Sequence, residues 1–207
     1  MVNAKNDPRV KRTQKELKKA LLALMQRKDF ADITISELTE KAEVSRGSFY
    51  RYYATTADLL NSFIQEVMAE YDANCKNICY TDDLLYSGVK QRCMVFYNHI
   101  EANKEFYRVM SGPHGILSFQ KTLQDWRLSR FRKRYFVPKN NSAADHENEV
   151  KFFLLAEYIV YAQLGLAYYW LQEDSLLDIN CIGKMAADFT YKLLADQHEL
   201  EIHTNRY

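Results

Sequence analysis

The sequence predicts an all-α chain of about nine helices, and three observations predict it. Apolar residues recur at the three-and-four spacing of a helix almost throughout the 207 residues, while strand-like alternation is nowhere sustained. Six Gly and three Pro leave few turns and almost no helix breakers, where an average domain uses the pair at roughly 12%. Fifteen Tyr and eleven Phe are more ring surface than a solvated chain carries, which excludes intrinsic disorder.

The first helix has Val10, Leu17, Ala20, Leu21 and Leu24 on one stripe and runs to about Arg27. A polar elbow follows at residues 28–32. Thr34 opens a short second helix with Glu37 three residues on, the spacing at which each side chain reaches the other's backbone N–H. Ile35, Leu38 and Ala42 form its buried face. Ser45 is a second N-cap candidate three residues after Ala42, so two short helices meet across Glu43 and Val44 in a helix-turn-helix.

A fourth helix opens near Thr56, with Asp58 at its dipole-favoured end, and carries Leu60, Phe63, Ile64, Val67 and Tyr71. Beyond turn signals at 80–83, a fifth places Leu85, Val89, Cys93, Phe96 and Ile100 on one face. Residues 103–111 form a short helix, closed by Gly112, Pro113, His114 and Gly115, the strongest breaker in the chain. A seventh helix spans Leu117–Tyr135 and a polar loop spans 138–142. The eighth helix, 144–172, is apolar on every face from 152 to 171, and a helix apolar all round must be covered all round. The last, 180–197, shows Ile182, Met185, Ala186, Phe189 and Leu193. One chain covers one side of the eighth helix, and a second copy covers the other most simply, giving a homodimer through the last two helices.

The net charge of +1 conceals an asymmetry. Residues 1–60 carry twelve Lys/Arg and eight Asp/Glu, and the remainder sixteen and nineteen, so a head of +4 sits on a body of −3. That is the distribution of a chain that touches a polyanion at one end. The N-terminus lacks the apolar stretch of a secretory signal, and four irregularly placed cysteines point to a reducing, cytoplasmic compartment. The segment 152–171 is a poor membrane span, because it holds Glu157, Gln163 and four Tyr, and no membrane is expected.

From Thr34 to Leu60 the chain reads TISELTEKAEVSRGSFYRYYATTADLL. With Thr34, Ala42, Val44, Ser45, Gly47, Ser48, Phe49, Tyr50, Tyr52, Tyr53, Leu59 and Leu60 in register, it resembles the N-terminal DNA-binding domain of the TetR family of bacterial transcriptional regulators. Two positions depart from that pattern. Glu43 stands where the family has Gly, so the turn is made without the residue that adopts positive φ most easily. Thr56 stands where the family has a phosphate-contacting Lys, which shifts weight to the basic arm Lys5, Arg9, Lys11, Arg12 and Lys15.

The residue chemistry also fits duplex DNA. Arg46 forks onto guanine O6/N7, Gly47 lets the backbone approach, and Ser48 bonds either base type. Tyr50, Arg51 and Tyr52 supply hydroxyls, a guanidinium and ring surface for the sugar-phosphate backbone. Thr34, Ser36 and Ser45 lie near helix N-termini, where N–H groups favour phosphate, and Thr56 adds a hydroxyl. Phe49, Tyr53, Leu38 and Val44 make the small core beneath. A DNA-binding domain over 1–56 and a C-terminal domain over 57–207 follow.

The resemblance implies a regulator, most simply a repressor, that binds a palindromic operator as a homodimer and is released by a small-molecule effector in the C-terminal helices. Lining candidates are Phe96, Tyr97, His99, Phe106, Met110, Phe119, Trp126, Tyr158 and Tyr161. Core packing competes for each of them. A protein partner in place of the small molecule is the alternative reading. Arg127, Arg130, Arg132, Lys133 and Arg134 read as a solvated helix end that complements the dipole, with an anion site or extra DNA contact as alternatives. Cys75 and Cys79 make half a zinc site at best. No enzyme, metal or cofactor is expected: the five His are scattered, and no phosphate-cradling Gly loop or nucleophile triad is present.

Overall fold

A computed structural model describes residues 7–76, 86–135, 143–172 and 177–204, which form nine α-helices and one 3-10 turn, with no strand among them. Asp7 caps α1 (Pro8–Met25), its carboxylate accepting the Arg9 N–H at 2.8 Å with Pro8 placed where no N–H is needed. The polar elbow becomes the 3-10 turn Phe30–Asp32. Then come α2 (Ile35–Lys41), α3 (Arg46–Tyr50), α4 (Thr56–Lys76), α5 (Tyr86–Ala102), α6 (Lys104–Met110), α7 (Leu117–Tyr135), α8 (Ala143–Gln172) and α9 (Ile179–Thr204). The turn signals at 80–83, Leu85 and the loop 138–142 lie outside the described residues.

The chain divides into two compact units. The first comprises Met1–Ala73 and Glu105–Leu117. The sequence boundary after residue 56 thus falls at the first turn of α4, a helix that belongs to this unit as far as Ala73. Leu17, Leu21, Met25, Leu38, Phe49 and Leu59 are its fully buried apolar centre. The inserted segment contributes Phe106, whose ring lies 4.8 Å from that of Phe63 on α4. Gly115 follows α6 so closely that an added Cβ would stand 2.2 Å from the Met110 carbonyl oxygen.

The second unit comprises Asn74–Lys104 and Ser118–Tyr207. Its main seam runs between α5 and α9. A Cβ on Gly183 would come within 2.7 Å of Met94 Sδ, and Tyr86 donates to Asp188 at 2.6 Å. On α8, Ala156, Ile159, Val160, Gln163, Leu164, Ala167, Trp170 and Leu171 are buried at helical spacing. The opposite face is open: Leu154 is 64% exposed, Tyr158 64%, Tyr161 51% and Tyr169 57%. This chain therefore covers one side of α8 and leaves the other open. On α9, Ile182 and Ala186 are buried, whereas Met185 and Phe189 are exposed. Among the described residues, His146–Gln172 is the one helix long and apolar enough to cross a membrane by length and composition. Its buried face packs inside the second unit.

Candidate nucleic-acid interface

The site is built from three capped helix starts. At the first, Glu37 N–H donates to Thr34 Oγ1 at 3.2 Å and Thr34 N–H to Glu37 Oε2 at 3.1 Å, so both arms of the capping box are made. Lys28 donates to the same carboxylate at 2.6 Å and to the Asp32 carbonyl at 2.9 Å, tying the end of α1 to α2. These donors, the Lys28 ammonium first and Thr34 second, hold the Glu37 pKa down at about 2. At the second start, Ser45 Oγ accepts the Ser48 N–H at 3.1 Å. At the third, Thr55 Oγ1 accepts the Asp58 N–H at 3.1 Å and Asp58 accepts the Thr55 N–H at 3.0 Å. Thr56 is thus the first residue of α4 and Thr55 its cap. The Thr-x-x-Asp spacing of residues 55–58 is the sequence signal for that cap.

Between α2 and α3, Glu43 adopts φ 55, the only positive φ on a non-Gly residue among the described residues. Its N–H reaches the Glu40 carbonyl at 3.1 Å and the Val44 N–H the Thr39 carbonyl at 3.0 Å. This is a Schellman closure with Glu where Gly is easiest. The turn therefore keeps its shape at a backbone cost.

Behind the turn, Phe49 and Leu38 are fully buried, Tyr53 nearly so and Val44 half-buried. Of the candidate contacts, Thr34, Ser36, Ser45, Arg46, Gly47, Tyr50 and Arg51 are exposed, and Ser48, Tyr52 and Thr56 half-buried. Tyr50 is 58% exposed and meets Phe49 edge-on at 5.6 Å. Arg46 Nη2 donates to Ser36 Oγ at 2.6 Å, a link between α2 and α3 that no spacing rule revealed. On α1, Arg9, Lys11, Arg12 and Lys15 are all exposed, while Lys5 lies outside the described residues.

The lining candidates separate. Phe106 and Met110 are buried in the first unit; Phe96, Tyr97, His99 and Phe119 are buried in the second, with Trp126 half-buried. Tyr158 and Tyr161 lie on the open face of α8, apart from the buried ones. Gln163 forms a polar node beside Phe96 and Tyr97. It bonds the Arg127 guanidinium, donates to Thr190 Oγ1 at 2.9 Å and gives its backbone carbonyl to the Tyr97 hydroxyl at 3.0 Å. Burial pushes the adjoining Cys93 thiol up to about 11.

The basic end of α7 is solvated only in part, and Arg127 is a correction to the solvated reading. Arg127 is only 9% exposed and lies 3.5 Å from the Phe96 ring centre; Arg130 covers Trp126 at 3.7 Å; Arg132 covers Phe153 and pairs with Glu157 at 2.9 Å. Guanidinium planes on aromatic faces explain why these positions hold Arg. Lys133 is exposed, and the Arg134 side chain and Cys79 lie outside the described residues; Cys75 is half-buried.

The family described as bacterial regulatory proteins, tetR family, matches residues 18–63, and the one described as transcriptional regulator C-terminal region matches 89–190. The chain belongs to the TetR family. This TetR-family chain is 45% identical over 176 residues, 82% of its length, to the uncharacterized HTH-type transcriptional regulator YxbF of Bacillus subtilis, of which the match covers 42%. It is 26% identical over 46% of its length to 47% of DhaS of Lactococcus lactis, named an activator of the dhaKLM operon. The chain spans less than half the length of these curated relatives in either match. Among solved structures, the fatty acid degradation regulator FadR of Bacillus halodurans superposes with a TM-score of 0.59 at 14% identity, over 86% of this chain and 94% of that one. That likeness concerns the fold of a TetR-family chain and no more.

Proposed function

We propose that this chain is a cytoplasmic transcriptional repressor that binds a palindromic operator as a homodimer and leaves it when a small molecule binds the C-terminal helices. One observation carries the DNA-binding part. The short α3, capped at its start by Ser45, presents Arg46, Gly47 and Tyr50 outward, with Arg51 at its end, over a core of Phe49 and Leu38, as a helix entering a major groove must. Ser48, Tyr52, Thr34 and Thr56 flank it as backbone contacts, and the exposed cations of α1 add charge for phosphate.

The open apolar face of α8 and α9 supports the homodimer, since a face this apolar is normally covered. Phe96, Tyr97, His99, Phe119 and Trp126 of the second unit support an effector site there. An effector acts only through its different affinity for the DNA-competent and incompetent states. The activator DhaS makes the direction of regulation something to measure.

The test is enrichment of duplexes from a randomised pool, followed by affinity at several salt concentrations and a promoter reporter. The expected result is an inverted repeat whose affinity falls with salt at a log-log slope of roughly −0.9 per phosphate contacted. Equal affinity for every duplex, insensitive to salt, refutes it. Reporter activation in place of repression refutes the repressor part alone. A dimer that no small-molecule fraction releases, but a protein does, moves the reading to a protein partner.

A further inference from the structure

We propose that Ser36 is a positioning residue for base readout: it holds the Arg46 guanidinium in the orientation from which Arg46 reads a guanine. Discrimination at one operator base pair then depends on a side chain of the preceding helix. The assignment rests on the DNA-binding function proposed above and names the device behind its specificity.

Arg46 is the first residue of α3, at the end of a recognition helix where base edges are reached. A long exposed Arg samples many rotamers, and ordering it on binding costs affinity. Here Nη2 is already bonded to Ser36 Oγ at 2.6 Å. That bond uses one of five guanidinium N–H donors, and two suffice for guanine O6 and N7. The acceptor is neutral. A carboxylate in its place would cancel the charge and repel the duplex, whereas a hydroxyl orients the fork and leaves its charge for DNA.

Both ends of the link are fixed. Ser36 is in the first turn of α2, held by the Thr34–Glu37 capping box, and its backbone carbonyl accepts from the buried Thr39 hydroxyl at 3.1 Å. Arg46 follows the Ser45 cap, and the closed turn at Glu43 sets the distance between the two helices. Capping of α2 is done by Thr34, so it does not call on the Ser36 hydroxyl.

The test uses the duplex enriched on the full chain and its single base-pair variants. Affinities are measured for the wild type, Ser36→Ala, Ser36→Thr, Arg46→Ala and the Ser36→Ala/Arg46→Ala pair. Ser36→Ala is expected to narrow the preference for one G·C pair roughly two- to tenfold, the scale of ordering one such side chain. Ser36→Thr keeps the hydroxyl and restores the preference. In the Arg46→Ala background, where that preference is already gone, Ser36→Ala has no further effect on it. An equal loss on every duplex makes Ser36 a phosphate contact and overturns the assignment. So does a Ser36→Ala effect that persists without Arg46. A wild-type chain that enriches no duplex overturns the proposed function itself, and this assignment with it.

Discussion

Glu37 closes the cap of α2 and takes the Lys28 ammonium with one carboxylate. Its folded pKa of about 2 lies below the ordinary 4.5, so the folded chain favours the ionised form. The stability gained is fully present above the unfolded pKa and is lost as pH falls from about 4.5 towards 2. Glu37→Gln should therefore lower the melting temperature at neutral pH, with the gap to wild type closing across that window. Thermal melts at stepped pH check this, and a gap that stays constant below pH 4 contradicts it. The Thr34–Glu37 half of the arrangement was legible, because a cap and its partner stand three residues apart. Lys28 was not, since nine positions and a 3-10 turn separate it from Glu37. Ser36 and Arg46 escaped for the same reason: each was visible as a polar residue, but their link exists only once the turn is folded.

For the elements, the turn between α2 and α3 offers the sharpest case. A left-handed backbone costs a residue with a Cβ about 1–2 kcal/mol, and Gly gives back roughly 0.5–1 through its greater freedom when unfolded. Glu43→Gly, at φ 55, should thus stabilise the chain by about 0.5–1 kcal/mol. Denaturant midpoints measure it; a destabilised variant would show that the Glu43 side chain makes a contribution of its own. The sequence departure at this position foretold the strain. Helix order and most helix limits were also legible, because capping residues and breakers mark them: α7 falls where expected, whereas α9 starts one residue early at Ile179 and runs past the expected end at 197 to Thr204. The two faces of α8 were not. Tyr, Leu and Phe occur all round it, and only packing against its neighbours decides which side stays open. Charge likewise predicts solvent for the α7 Arg residues but not the rings of Phe96, Trp126 and Phe153 that Arg127, Arg130 and Arg132 cover.

On the scale of the whole molecule, the open face of α8 makes association measurable. Leu154→Glu should raise the dissociation constant of the proposed dimer by roughly a hundredfold or more, because each of the two copies loses about 1.5–3 kcal/mol of burial and gains a charge. Sedimentation velocity across a dilution series reads this directly, and a wild-type chain that sediments as a monomer throughout removes the homodimer. The +4 head and −3 body remain a sequence-level fact with a plain use, confining attraction for a polyanion to one end. The segment Glu105–Leu117 has a consequence for anyone cutting the chain apart. It comes from the middle of the sequence yet is built into the first unit, where the Phe106 ring lies against Phe63 and Met110 is fully buried. A protein fused to residues 1–73 alone would inherit a head with a bare aromatic socket, prone to self-adhesion. A transplantable version has to bring residues 105–117 along, spliced in by a linker, because the first unit is not contiguous in sequence.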